Sequence, residues 1–125
     1  MRIAIIAACF MAAGGCGAIE RAQLAKDAKQ SLVGMSDERI LACMGPPRSR
    51  AAAGGLEVWQ YQSGNGQIDI ERDVNGAVAT QRHCLINISM RERQVQSVSY
   101  SGPTGGLLSA GEQCAFALQG CFQKP

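Results

Sequence analysis

The chain has 125 residues, with 12 basic and 10 acidic side chains for a net charge of +2. That length is one domain, and near-neutral, interleaved charge leaves no electrostatic footprint for nucleic acid. A content of 46% hydrophobic residues excludes a disordered chain, but with only 5% aromatic the core is thin, and six cysteines suggest staples.

The N-terminus reads as an address. Met1-Arg2 is a minimal basic start, and residues 3–13, IAIIAACFMAA, form an apolar run. The run is too short to cross a bilayer, which takes about 20 residues. Gly14-Gly15 then precedes Cys16. Residues 1–15 are therefore expected to be a secretory signal. The small residues before Cys16 resemble a bacterial lipobox, which implies that Cys16 is lipidated, palmitate included, and becomes the mature N-terminus. Ala13 stands where that motif prefers Leu or Val. Lipidation at Cys9, ordinary secretion and an uncleaved anchor are the competing readings. Gly17 and Ala18 carry no Asp of the inner-membrane retention type, which favours the outer membrane, periplasmic face. Several acyl chains on one cysteine anchor stably, at about 0.8 kcal/mol per buried CH₂.

Cys43, Cys84, Cys114 and Cys121 remain in the mature chain. An even number in an exported protein reads as two disulfides with three possible pairings. On one helix Cys114 and Cys121 would lie about 10 Å apart, beyond disulfide reach. Each must then pair with Cys43 or Cys84, and Cys84–Cys114 with Cys43–Cys121 is the favoured arrangement. A zinc site of the same cysteines, or with His83, lacks any C-x-x-C spacing and suits a reducing compartment better.

Residues 16–23 are expected as lipidated Cys and tether, and 24–125 as the domain. Residues 19–33 carry a helical pattern, with Leu24, Ala28 and Leu32 on one line and Gly34 as the stop. Ser36 offers an N-cap to a second helix, Asp37 and Glu38 complement its dipole, and Gly45-Pro46-Pro47 ends it. Ile40, Leu41 and Met44 form its apolar stripe. Residues 48–55 read as a loop of small residues, and 56–61 as a strand with Trp59 and Tyr61 on one face. Residues 63–82 read as either a small hairpin, turning at Asn75-Gly76, or a loop. Asp69, Glu71 and Asp73 lack the rest of a calcium loop and read as a solvated face. Residues 84–90 and 95–100 alternate as a β-hairpin, across a turn where Arg91 and Arg93 flank Glu92 as a solvated cluster. Residues 111–121 read as a short helix, with Phe116 and Phe122 sealing the core. The adjacent His83 and Cys84 point to opposite faces of a strand, which argues against a nucleophile pair.

The expected fold is α+β: two N-terminal helices packed on a three-stranded antiparallel sheet, with a short C-terminal Cys-bearing helix. Gly34-Met35-Ser36 before the second helix, Gly45 and Pro47 after it, and Trp59-x-Tyr61 on the first strand resemble outer-membrane lipoproteins of the BamE type (the SmpA/OmlA family). The resemblance spans residues 32–100 with a gap. It implies that architecture and a scaffold role beside the β-barrel assembly machine, with contacts to the barrel protein and to lipid. The fold also resembles the repeat of β-lactamase inhibitory proteins, which bind an enzyme through their sheet. The sequence departs from the family in its four mature-domain cysteines, the long segment after the first strand and the Cys-bearing helix after the third. The resulting expectation is a non-catalytic, membrane-anchored envelope protein, without metal or cofactor, that binds an envelope partner. Trp59, Tyr61 and Tyr100 are the candidate contact residues, with core residence the competing reading for Trp59. An inhibitor-like or ligand-binding module is the alternative, and a small disulfide-stabilised enzyme ranks last.

Overall fold

The computed structural model describes residues 13–122, with side chains from residue 17 onward. Most of the expected signal segment, and the Cys16 side chain, lie outside the described residues. Helix α1 spans Ala13–Ser31. Residues 16–23, expected as a tether, are helical, and Arg21 is docked against Glu112 at 3.6 Å. Ala25, Ala28 and Leu32 are fully buried, so α1 lies close on the sheet through small residues. Gly34 ends the helix at φ +90, where a side chain would be strained, and donates its N–H to the Val95 carbonyl at 2.8 Å.

Helix α2 spans Asp37–Met44. It forms as the sequence indicates: Ser36 Oγ accepts from the Arg39 N–H at 3.2 Å, and Gly45 caps the other end at φ +79. Of its expected stripe, Ile40 is fully buried and Met44 half-buried, while Leu41 faces outward, 47% exposed.

Six strands follow: β1 (Ser49–Ala53), β2 (Leu56–Ser63), β3 (Ile68–Asp73), β4 (Gly76–Gln81), β5 (Cys84–Arg91) and β6 (Gln94–Ser101). The expected three-stranded sheet is incorrect. The main sheet has four antiparallel strands in the order β1-β2-β5-β6, and β3-β4 form a separate two-stranded sheet. The missing member is β1, whose Ser-Arg-Ala-Ala-Ala run has no alternation and no strong strand former. It pairs because Gly54 (φ +58) and Gly55 (φ +82) make a two-residue turn with positive φ at both central positions, bringing Ala53 opposite Leu56 and Ser49 opposite Gln60. The hairpin β3-β4 turns through Val74 and Asn75, with Asp73 opposite Gly76, one residue earlier than the Asn75-Gly76 reading. The Asp73 carboxylate accepts the Asn75 N–H at 2.7 Å and sets that turn.

The core lies on one face of the main sheet. Trp59, Tyr61, Ile86, Ile88, Met90, Val95 and Val98 point inward against Ala25, Ala28, Leu32, Ile40 and Leu118. Burial alternates strictly along β5, as a sheet covered on one side requires. After β6 the chain makes a 3₁₀ turn (Glu112–Cys114), α3 (Ala115–Leu118) and a second 3₁₀ turn (Gln119–Cys121). The expected C-terminal helix is thus broken into three short pieces. Leu118 fills the core there; Phe116 is half-buried and Phe122 is 37% exposed.

Candidate functional site

Cys43, Cys84, Cys114 and Cys121 form two disulfides, Cys43–Cys121 and Cys84–Cys114, with Cα separations of 4.9 and 5.0 Å. The first ties the C-terminal end of α2 to the end of the chain, and the second ties the start of β5 to the first 3₁₀ turn. Cys84 is therefore bonded and buried, and its sulfur is no nucleophile beside His83. The His83 ring instead approaches the Gln81 carbonyl at 3.2 Å. Ser63 completes the join of sheet and C-terminal segment: its Oγ donates to the Gln113 carbonyl at 2.5 Å and accepts the Ala117 N–H at 2.9 Å.

The three aromatic residues expected to meet a partner are all engaged within the fold. Trp59 is 3% exposed and Tyr61 5%. The indole N–H donates to Glu57 Oε1 at 2.6 Å, and the Arg50 guanidinium lies 4.7 Å from the ring centroid while pairing with Glu57. The indole hydrogen bond, then the Arg50 bond, hold the Glu57 carboxyl below the usual range. Tyr61 donates to the Gly45 carbonyl at 2.9 Å, latching the sheet to the end of α2. Tyr100, half-buried, donates to the Ala25 carbonyl at 2.6 Å, under the Lys29 ammonium at 4.9 Å. Burial pushes both phenols up to about 12.

The strands present two further surfaces. The outer face of the main sheet is mixed, with Leu56, Val58 and Leu85 half-buried among polar and small residues. Gln60 and Asn87 bond across it at 3.1 Å, and Ser97 and Ser99 are exposed. The second surface is the β3-β4 hairpin. Ile68 and Ile70 are 59% and 61% exposed, and Ala79 and Ala77 continue their face on the partner strand. Val74 at the tip is fully exposed; Arg72 shares the isoleucine face, and the opposite face carries Asp69, Glu71 and Asp73 with Val78, 64% exposed, across from Glu71. Two-stranded sheets are marginal alone. This one is held at its base by Arg82, which pairs with Asp69 of β3 and reaches Glu112 at 3.6 Å. Glu112, only 3% exposed, also faces Arg21 of α1, so one carboxylate joins α1, the hairpin and the C-terminal segment. No local pattern marked this cluster, because its members come together only through the tertiary fold.

Among the described residues, no helix is long and apolar enough to cross a membrane, and no three His, Cys, Asp or Glu side chains gather as a metal site. Compared with known proteins, the chain matches no family model, no curated protein and no solved structure. The likeness to the BamE type accordingly stands on Gly34, Met35, Ser36, Gly45, Pro47, Trp59 and Tyr61 alone.

Proposed function

We propose that this chain is a non-catalytic envelope lipoprotein, anchored through Cys16 at the periplasmic face of the outer membrane, that holds a partner protein in support of outer-membrane protein assembly. The observation that carries the partner-binding role is the β3-β4 hairpin. Ile68 and Ile70 stand more than half exposed on a projection that buries almost nothing of its own. An apolar stripe on such a projection favours a complementary surface on a second protein. With Asp69 paired to Arg82, Glu71 and Asp73 behind the stripe and Arg72 beside it favour a partner with charges of both signs around that surface. The BamE-type motifs and the lipobox-like start supply the address and the scaffold role. Trp59 and Tyr61 exposed on an open sheet face would favour the inhibitor-like alternative; both are buried, so neither reading finds its contact surface there.

The test is affinity purification of the full-length protein from gently solubilised membranes, beside Ile70→Asp and Cys16→Ser variants. The expected result is recovery of β-barrel assembly components with the wild type, a several-fold loss with Ile70→Asp, and none with Cys16→Ser. Recovery of no envelope protein, or of the same proteins with all three chains, refutes the proposal.

A further inference from the structure

Leu107 and Leu108 are 99% and 85% exposed, a large apolar display for a chain with so small a core. They do not hang on a loose loop. They are the two central residues of a tight turn, with the Ser109 N–H donating to the Gly106 carbonyl at 3.2 Å and the Gly106 N–H to Ser109 Oγ at 3.1 Å. Thr104 secures the base, its hydroxyl accepting the Gly111 N–H at 3.0 Å and its carbonyl the Gln113 N–H at 2.9 Å. Turn tips favour Gly, Asn, Asp, Ser and Pro. Among the described residues, the two leucines on this braced turn take no part in the core.

Their place is the second observation. The chain leaves this turn into Glu112, which pairs with Arg21, so the turn lies beside the middle of α1. Leu108 and Ile19 line one groove of about 420 Å³ along α1, and Ile19 is itself 55% exposed. Ile19 follows Cys16 by three residues, roughly 4.5 Å along a helix axis. The apolar run of residues 3–13 ends at Ala13, the first residue of α1, three residues before Cys16. Acylated Cys16 or an uncleaved apolar leader would equally bring this end of the molecule to a bilayer. Charge agrees: Lys26 and Lys29 also line the groove, and no acidic residue is among its described lining. Lysines beside exposed leucines suit the interface between anionic headgroups and acyl chains.

We infer that the Gly106–Ser109 turn is a second membrane contact, inserting Leu107 and Leu108 into the headgroup boundary while Lys26 and Lys29 meet lipid phosphates. This rests on the anchored reading proposed above. The contact would fix the tilt of the domain on the membrane, which one acylated cysteine at a helix end leaves unset. The elements involved lie after the third strand expected from sequence, outside the stretch that resembles the BamE type.

Trp59 is the sole, buried tryptophan of the chain, so a surface indole can be read against a quiet background. The experiment uses full-length protein purified from membranes, wild type and Leu108→Trp, reconstituted into phosphatidylcholine vesicles with acyl chains brominated near the headgroup. Mass analysis of the N-terminal peptide and vesicle flotation report the anchor separately. The inference expects emission of the Leu108→Trp protein to fall by about half on brominated vesicles, as an interfacial group should, with wild type nearly unchanged. Acylated, floating protein whose introduced indole is no more quenched than wild type overturns the inference and leaves the anchor intact. An introduced indole that shifts to the blue without bromine quenching marks a protein occupant, such as a second copy, and overturns it also. Protein that is neither acylated nor retained on vesicles overturns the anchored reading, and this inference with it.

Discussion

Removing the Cys43–Cys121 disulfide, through the paired substitution Cys43→Ala and Cys121→Ala, should have a large and calculable effect. The bridge closes a sequence separation of 78, inside which Cys84–Cys114 closes a separation of 30. Because the loops are nested, the inner bridge shortens the path that the outer one constrains. On the loop-entropy relation the outer bridge stabilises by about 4 kcal/mol with the inner one intact, and the inner bridge alone by about 3.5 kcal/mol. Small domains have total stabilities of only about 5–15 kcal/mol, so loss of both should leave a chain near its unfolding midpoint at room temperature. Packing adds little, since Cys43 is only half-buried and Cys121 is small. The assay is urea unfolding followed by far-UV circular dichroism, comparing the double-Ala protein with wild type. A loss of about 3–4 kcal/mol agrees with the entropic account. A loss below about 1 kcal/mol, a quarter of the entropic value, refutes it. The two bridges also differ in access. Cys84 and Cys114 are fully buried, so dilute thiol should open Cys43–Cys121 first, as alkylation and mass analysis of the native protein will read.

Four further outcomes are expected. Arg50→Ala strips the cation and ion pair from above Trp59; its emission should shift to the red for a stability loss of under about 1 kcal/mol, and unchanged emission would contradict the capping geometry. Both tyrosines are held near 12, above the ordinary 10.0, so at pH 10–11 the folded protein should show far less phenolate absorbance than the unfolded chain. Their raised values contribute stability that is complete below pH 10 and is lost as pH rises toward 12, and alkaline unfolding curves should show that fall. The Arg93 side-chain bond chiefly depresses Asp37 below its ordinary 3.8, so its contribution is present above that pH and fades below it; Asp37→Asn should flatten this part of the acid limb. Glu92 and Arg93 form the β5-β6 turn at φ +51 and +66, where non-glycine residues are strained, so Glu92→Asn should stabilise by about 0.5 kcal/mol in thermal melts.

Legibility followed locality. The Ser36 cap, the Gly45 stop and the inward face of β5 are written in a few adjacent residues, and the structure has them where the pattern places them. The four-strand sheet was missed because Ala51-Ala52-Ala53 carries no period; Gly54-Gly55, a two-residue hairpin signal, was the clue available. The β3-β4 hairpin stayed ambiguous because alternation usually announces one covered face, and here neither face is covered. Period alone put Trp59 and Tyr61 on one face of β2 but did not say which face the helices would take. The Arg21–Glu112–Arg82 cluster joins segments far apart in the chain, and nothing beside any one of the three residues foretells it.

The central claim is that an anchored domain presents the β3-β4 hairpin to an envelope protein. Its most direct test places a photo-reactive amino acid at position 70 in living cells, in wild-type and Cys16→Ser backgrounds, with exposed Gln96 of β6 as the comparison site. The account predicts one discrete adduct from position 70, with a component of the β-barrel assembly machine, that disappears in the Cys16→Ser background. No adduct from position 70, or the same adducts from position 96, would contradict it.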